Sequence, residues 1–268
     1  MLRGIYTGAA GMLATWDQMG VISNNLANVS TAGFKRDDVA FRAMLELPIH
    51  RTNDNVVQFP EGTVDRRPPV GPLGTGVMID EVFTDFAQGS LRPTANPLDL
   101  ALTGAGFFEV ETPQGLRYTR DGGFQVNAQG FLVDKLGNSL RAQQPDGTIG
   151  PVRLTDPNFS VGSDGTIAVG DPQQGPQQVI GTLRVVGFAQ PRALRKVGDN
   201  YYEAPAAAQP GPRPAQTLVK QGYHEQSNVN AVQEMVRMIE AHRLFGIEEK
   251  IITTQDGLMS KAIEIPRS

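Results

Sequence analysis

Apolar residues near the start of the chain fall at Leu2, Ile5, Ala9, Met12, Trp16, Met19 and Leu26, in alternating steps of three and four with Ser23 as a polar interruption. This spacing predicts an N-terminal helix with one narrow apolar seam, the form used in coiled-coil contact. Gly4, Gly8, Gly11 and Gly20 lie in the same stretch, and each glycine inside a helix costs about 1 kcal/mol relative to alanine. Such a helix is expected to order only against neighbours, the glycines permitting close approach. At the far end, Ser227, Asn228 and Asn230 offer N-cap residues, and Gln233 follows Asn230 at capping-box spacing. A second stripe begins at Val232, Val236 and Ile239 and resumes out of phase at Leu244, Ile247, Ile251, Leu258, Ala262 and Ile265. Gly246, at the phase change, marks a candidate bend.

Between the two helical patterns the periodicity is that of strands. Residues 46–75 are polar and punctuated by Pro48, Pro60, Pro68, Pro69 and Pro72, which predicts an extended segment or a long hairpin. From Val77 to about Val219 short strand-like runs alternate with turns. Runs opening at Gly106-Phe107, Gly123-Phe124 and Gly130-Phe131 each close on a valine, and Asp121-Gly122, Asp134 to Gly137, Asp146-Gly147 and Asp164-Gly165 supply hairpin turns. The alanine- and proline-rich stretch 204–214 reads as a linker. The expected fold is mainly β, with N- and C-terminal α-helices that pair into a coiled-coil-like helical domain and a central β domain of short hairpins. The expected divisions are 1–45, 46–75, 76–215 and 216–268.

Composition narrows the chemistry. A net charge of -4, with no basic stripe beyond the isolated pairs Arg66-Arg67 and Arg195-Lys196, argues against a nucleic-acid partner. Cysteine is absent, which excludes disulfides, thiolate catalysis and Cys-based zinc sites and suits export into an oxidising space. Arg3 is followed by Gly4, Thr7, Gly8, Gly11 and Asp17 rather than by the apolar core of a secretory leader, so any export is expected to leave the N-terminus uncleaved. No window approaches the ~18 apolar residues of a spanning helix. His50, His224 and His242 lie in three separate segments without metal-ligand spacing. The run 71–76 is glycine-rich, but no Lys-Ser/Thr follows it. Asn96 to Asp99 lacks the further ligands of a calcium loop. Asp80, Glu81 and Asp85 are carboxylates within one short stretch, as a hydrolase could use, but they lie in strand-like sequence where a solvated face explains them better. No catalytic residue, cofactor or metal is expected.

Residues 23–35, with Asn24, Asn25, Leu26, Ala27, Asn28, Val29, Thr31, Gly33, Phe34 and Lys35, resemble the N-terminal signature of the axial proteins of the bacterial flagellum, its rod, hook and hook-associated proteins. Three more stretches resemble rod proteins: residues 95–102 running into Gly106-Phe107-Phe108, residues 118–124, and residues 227–236. Within that family the opening Gly4 to Ala9 resembles the proximal FlgF type, with the distal FlgG type next.

The resemblance implies a non-enzymatic subunit of the basal-body rod in the periplasm, polymerising through its terminal helices into the shaft that carries torque from motor to hook. It implies as partners further copies of the chain, other rod, hook and ring proteins, and the flagellar type III export apparatus, with no nucleic acid and no membrane insertion. The residues expected at the assembly interface are Leu2, Ile5, Met12, Trp16, Met19, Asn24, Asn25, Leu26, Asn28, Gly33, Phe34, Val232, Val236, Ile239, Ile247, Ile251 and Leu258. The alternative class is a periplasmic peptidoglycan-binding or glycan-hydrolysing β protein using the Asp80, Glu81 and Asp85 carboxylates.

Overall fold

The computed structural model of the chain describes residues 2–50, 57–59, 62–64, 69–154, 158–170, 178–206 and 208–264. Arg66-Arg67, Pro60, Pro68 and Ile265, singled out above, lie outside the described residues. The chain is mainly β with a long helix at each end, as the hydrophobic periods predict. It divides into two compact units: Met1–Asn24 with Asp37–Phe83 and Val232–Ser268, and Asn25–Arg36 with Thr84–Ala231.

The first unit holds helix α1, Leu2–Ala27 apart from its last turn, and helix α2, Ala231–Glu264 from its second residue onward. α2 begins directly after Asn230, at the predicted cap, and runs through Gly246 without a break. Between the helices in sequence, the strand Asp37–Ala43 pairs with Val77–Thr84, and Met44 N–H donates to Gly76 O at 2.9 Å. Further out, Leu47–His50 pairs antiparallel with Pro69–Leu73, and Val57–Phe59 with Gly62–Val64. Of the two readings left open for residues 46–75, the described part takes the hairpin. Pro48 stands opposite Pro72 in that ladder. Proline has no N–H to donate, so it suits a two-stranded ribbon in which both strands are edges.

The second unit is an antiparallel sheet in the order Phe159–Val161, Thr166–Val169, Gln178–Leu183, Ser139–Gln143, Phe107–Thr112, Gly115–Thr119, Tyr201–Glu203, Arg195–Lys196. Its central strand, Phe107–Thr112, is covered on both faces because side chains alternate along it. Phe108 and Val110 join Leu100, Leu102, Phe124, Leu132 and Leu140 in the larger core. Phe107 turns the other way, into an aromatic cluster with Tyr118, Leu194 and Tyr202, its ring 5.4 Å from Phe86 and 5.5 Å from Tyr202.

Three predicted turns close hairpins. Asp134 to Gly137 lies between Leu132–Val133 and Ser139–Gln143, Asp146-Gly147 between Ser139–Gln143 and Ile149–Pro151, and Asp164-Gly165 between Phe159–Val161 and Thr166–Val169. Asp121-Gly122 does not. Gly122 O instead accepts Leu100 N–H at 2.9 Å, and the Leu100 carbonyl leaves no room for a Cβ on Gly122. The turn after Phe107–Thr112 is made at Pro113-Gln114, which the sequence pattern did not mark.

Candidate functional site

The two helices of the first unit meet along a face that the apolar pattern did not select. Going up α1, Gly4 lies under the Gln255 side-chain amide, Gly8 under Ile252 and Gly11 under Glu248. The α2 numbers fall as the α1 numbers rise, so the pairing is antiparallel. Both sets step by four and three, which keeps a seam on one side of each helix. Thr15 Oγ1 donates to Glu248 Oε2 at 3.2 Å, and the Trp16 and Phe245 rings stand 6.2 Å apart. The glycines thus make notches for long α2 side chains. Gly20 faces nothing within 4 Å and takes no part. The signal was legible, since Gly4, Gly8, Gly11 and Thr15 form a small-residue heptad, but Glu248 and Gln255 are polar and escaped a search for apolar seams.

The apolar residues expected at an interface lie elsewhere on the helices. On α2, Val232, Val236, Ile239, Ile247, Ile251 and Leu258 are 45–65% exposed, with Leu244 exposed beside them. On α1, Trp16 is 62% exposed, together with Tyr6 and Leu13. Ile5, Met12, Met19 and Leu26 are half-buried, and the side chain of Leu2 lies outside the described residues. The covered seam runs at heptad spacing through Glu248, Ile252 and Gln255, all beyond the phase change.

The signature segment is mostly interior to the second unit. Asn25, Gly33 and Phe34 are buried, Asn28 is half-buried, and Asn24, still in the first unit, is exposed. Gly33 has φ +70°, and a Cβ there would strike the backbone of Arg120 and Asp121, so glycine is required. Its N–H donates to Glu225 O at 2.8 Å. Lys196 Nζ sits 4.1 Å from the Phe34 ring centre and donates to Lys35 O at 2.5 Å, while Asn200 Nδ2 donates to Ala32 O at 2.9 Å. Lys35, fully buried, donates from Nζ to Glu225 Oε1 at 2.6 Å and to Ala87 O at 2.8 Å. Arg36 N–H donates to Asn228 Oδ1 at 2.8 Å, and Asn228 Nδ2 donates to Asp85 O at 2.8 Å. Burial pushes the Lys35 ammonium and the Arg120 guanidinium below their ordinary pKa values, and the Glu225 charge opposes both shifts. The stretches that carried the resemblance therefore meet around Lys35, Arg120, Glu225 and Asn228.

The carboxylates weighed for catalysis are engaged one by one or exposed. Asp80 pairs with Arg42 at 3.3 Å and Asp85 with Arg36 at 3.8 Å, while Glu81 is exposed. His224 Nε2 lies 3.1 Å from Asp99 Oδ2. Among the described residues, no group of three or more His, Asp or Glu side chains is placed to hold a metal ion.

The glycine-notched helix pair of one unit and the buried signature segment of the other both fall in stretches shared with a class of flagellar structural proteins. Residues 5–35 match the family described as "Flagella basal body rod protein", residues 101–169 the "Flagellar hook protein FlgE/F/G D1 domain", and residues 220–265 the "Flagellar basal body rod FlgEFG protein C-terminal". The chain is similar over its whole length to flagellar basal-body rod proteins FlgG. Identity is 34% to that of Buchnera aphidicola subsp. Schizaphis graminum, covering 99% of this chain and 100% of the relative. It is 33% to that of Bacillus subtilis, covering 100% of both, and 33% to that of Caulobacter vibrioides, covering 98% and 99%. The chain belongs to the flagellar basal-body rod family of FlgE, FlgF and FlgG proteins. Within it these relatives fit the FlgG type, whereas the opening Gly4 to Ala9 had favoured FlgF.

Proposed function

We propose that this chain is a structural, non-enzymatic subunit of the flagellar rod that polymerises through the bare faces of its two terminal helices. The observation that carries the reading is the stripe Val232, Val236, Ile239, Ile247, Ile251 and Leu258, left exposed on a helix that meets α1 through Glu248, Ile252 and Gln255 instead. Large apolar side chains left exposed in this number along one helix are a mark of association. A repeated contact between different patches, if the rotation does not close, builds a helical shaft. Trp16, Tyr6 and Leu13 on α1 extend the assembly surface. The half-buried Ile5, Met12 and Met19 would contribute their edges. Asn25, Gly33 and Phe34 act from inside the subunit.

In this reading the subunit stands in the periplasmic part of the shaft, joins other rod and hook proteins and the surrounding rings, and carries torque to the hook. It leaves the cytoplasm through the flagellar type III apparatus. The similarity to FlgG proteins favours the distal segment. Cryo-tomography of motors in cells lacking the gene tests the function. Motor rings carrying a shaft truncated in its distal part are the expected result, and an intact rod and hook would overturn it.

A further inference from the structure

Glu225 is held by two cations in a site closed to water, Lys35 at 2.6 Å and Arg120 at 3.4 Å, with all three side chains at most 3% exposed. Its Oε1 also accepts Gly89 N–H at 3.0 Å. Arg120 Nη2 donates to Gly104 O at 2.9 Å, while its Nε has no acceptor. Taking each ion out of water is costly, and only close pairing offsets that cost. The three charges come from distant parts of the chain, and Lys35 and Glu225 are 190 residues apart. Glu225 arrives on the strand Tyr223–Glu225, which pairs with Leu91–Pro93. Apart from the Glu225 carboxylate, residues 25–36 are held by the side chains of Lys196, Asn200 and Asn228, by the Arg36 and Asp85 pair, by Ala87 O on Lys35 and by the buried Phe34 ring. Glu225 pairs directly with both Lys35 and Arg120, so removing its charge takes the direct ion-pair partner from two buried cations at once.

We propose that the Lys35, Glu225 and Arg120 triad is the closure of a strap, in which residues 25–36 lock onto the second unit only once the C-terminal return strand has delivered Glu225. Lys35 is the strap's ionic hold, and Arg120 keeps Glu225 in place when the strap is open. The signature thereby makes completion of the unit depend on both ends of the chain. This inference does not rest on the polymer reading, since the triad lies inside one subunit.

Hydrogen exchange of the full-length chain tests it. Lys35→Met leaves a neutral Glu225 and Arg120 pair, so the sheet should stay folded while the strap loosens. Amides of residues 28–36 should then exchange about tenfold faster, with those of Phe107–Thr112 and Tyr201–Glu203 unchanged, as a local opening requires. Glu225→Gln should loosen the strap further, and adding Lys35→Met to it should recover protection by removing one uncompensated cation. Strap amides that stay within about threefold of the parent in Lys35→Met would overturn the proposal. So would equal loss of protection across the whole sheet in that variant. If Glu225→Gln fails to fold, the Lys35→Met pattern alone decides.

Discussion

Glu248 of α2 lies over Gly11 of α1, its Oε1 2.5 Å from where a Cβ on Gly11 would stand. The helix pairing thus has a titratable side chain in its seam. Burial raises the Glu248 pKa above the ordinary 4.5, and the Thr15 hydrogen bond opposes the shift. A carboxyl whose folded pKa is raised holds its proton more tightly when folded. Its contribution is therefore complete below the unfolded value and lost as pH rises through the folded one. The pairing should be firmest in acid and loosen toward neutral pH. Trp16, the chain's single tryptophan, stands beside Phe245 and reports this directly. Its emission should shift with pH in the parent and stay flat in Glu248→Gln. The same titration in both proteins would refute the assignment.

The glycines of α1 should divide by what faces them. A Cβ on Gly8 would already stand 3.1 Å from Ile252 Cγ1, so Gly8→Leu should cost the first unit about 1–3 kcal/mol through overpacking. It should also disturb Trp16 emission. Gly20 faces open space, and Gly20→Ala should stabilise the helix by up to about 1 kcal/mol. Thermal unfolding of the two variants checks the contrast.

Gly33 meets backbone rather than a movable side chain. Gly33→Ala combines positive-φ strain with a collision that cannot be relieved by a rotamer change, and should cost about 2–4 kcal/mol. Denaturant midpoints of the purified chain measure it. A loss smaller than that of an ordinary surface substitution would mean that the strap moves freely.

The bare α2 stripe predicts a separation of folding from assembly. Val236→Asp and Ile239→Asp place a charge where the parent side chain is already about half exposed, so stability should change by no more than about 0.5 kcal/mol. Swimming and rod completion should nevertheless be lost. A destabilised monomer, or normal motility with a stable one, would show that this face is not used between subunits.

Much of this was legible from residue spacing because helix periods and aspartate–glycine turns are local signals. α1, α2 and three hairpins appear where those signals put them. The seam between the helices was hidden because its α1 members are glycines and Thr15, and two of the three α2 side chains over the glycines are Glu248 and Gln255, which no search for apolar stripes selects. Asp121-Gly122 has hairpin chemistry, yet its glycine is needed for the approach of the Leu100 carbonyl, a contact from distant sequence. The signature was recognisable as a string, but nothing local in it says that Lys35 will be buried against a carboxylate 190 residues away.

The two-sided character of α2 sets a limit on how this protein can change. In the proposed assembly, the face covered by α1 is satisfied by the chain itself, and the bare stripe is what a free subunit must keep from sticking before its turn comes. Substitutions that make the isolated subunit better behaved in solution, by adding charge at Val232, Val236 or Ile239, would weaken the adhesion that lets it be built into a shaft. Solubility before incorporation and strength afterwards are opposing demands on the same few side chains, and improving one sacrifices the other.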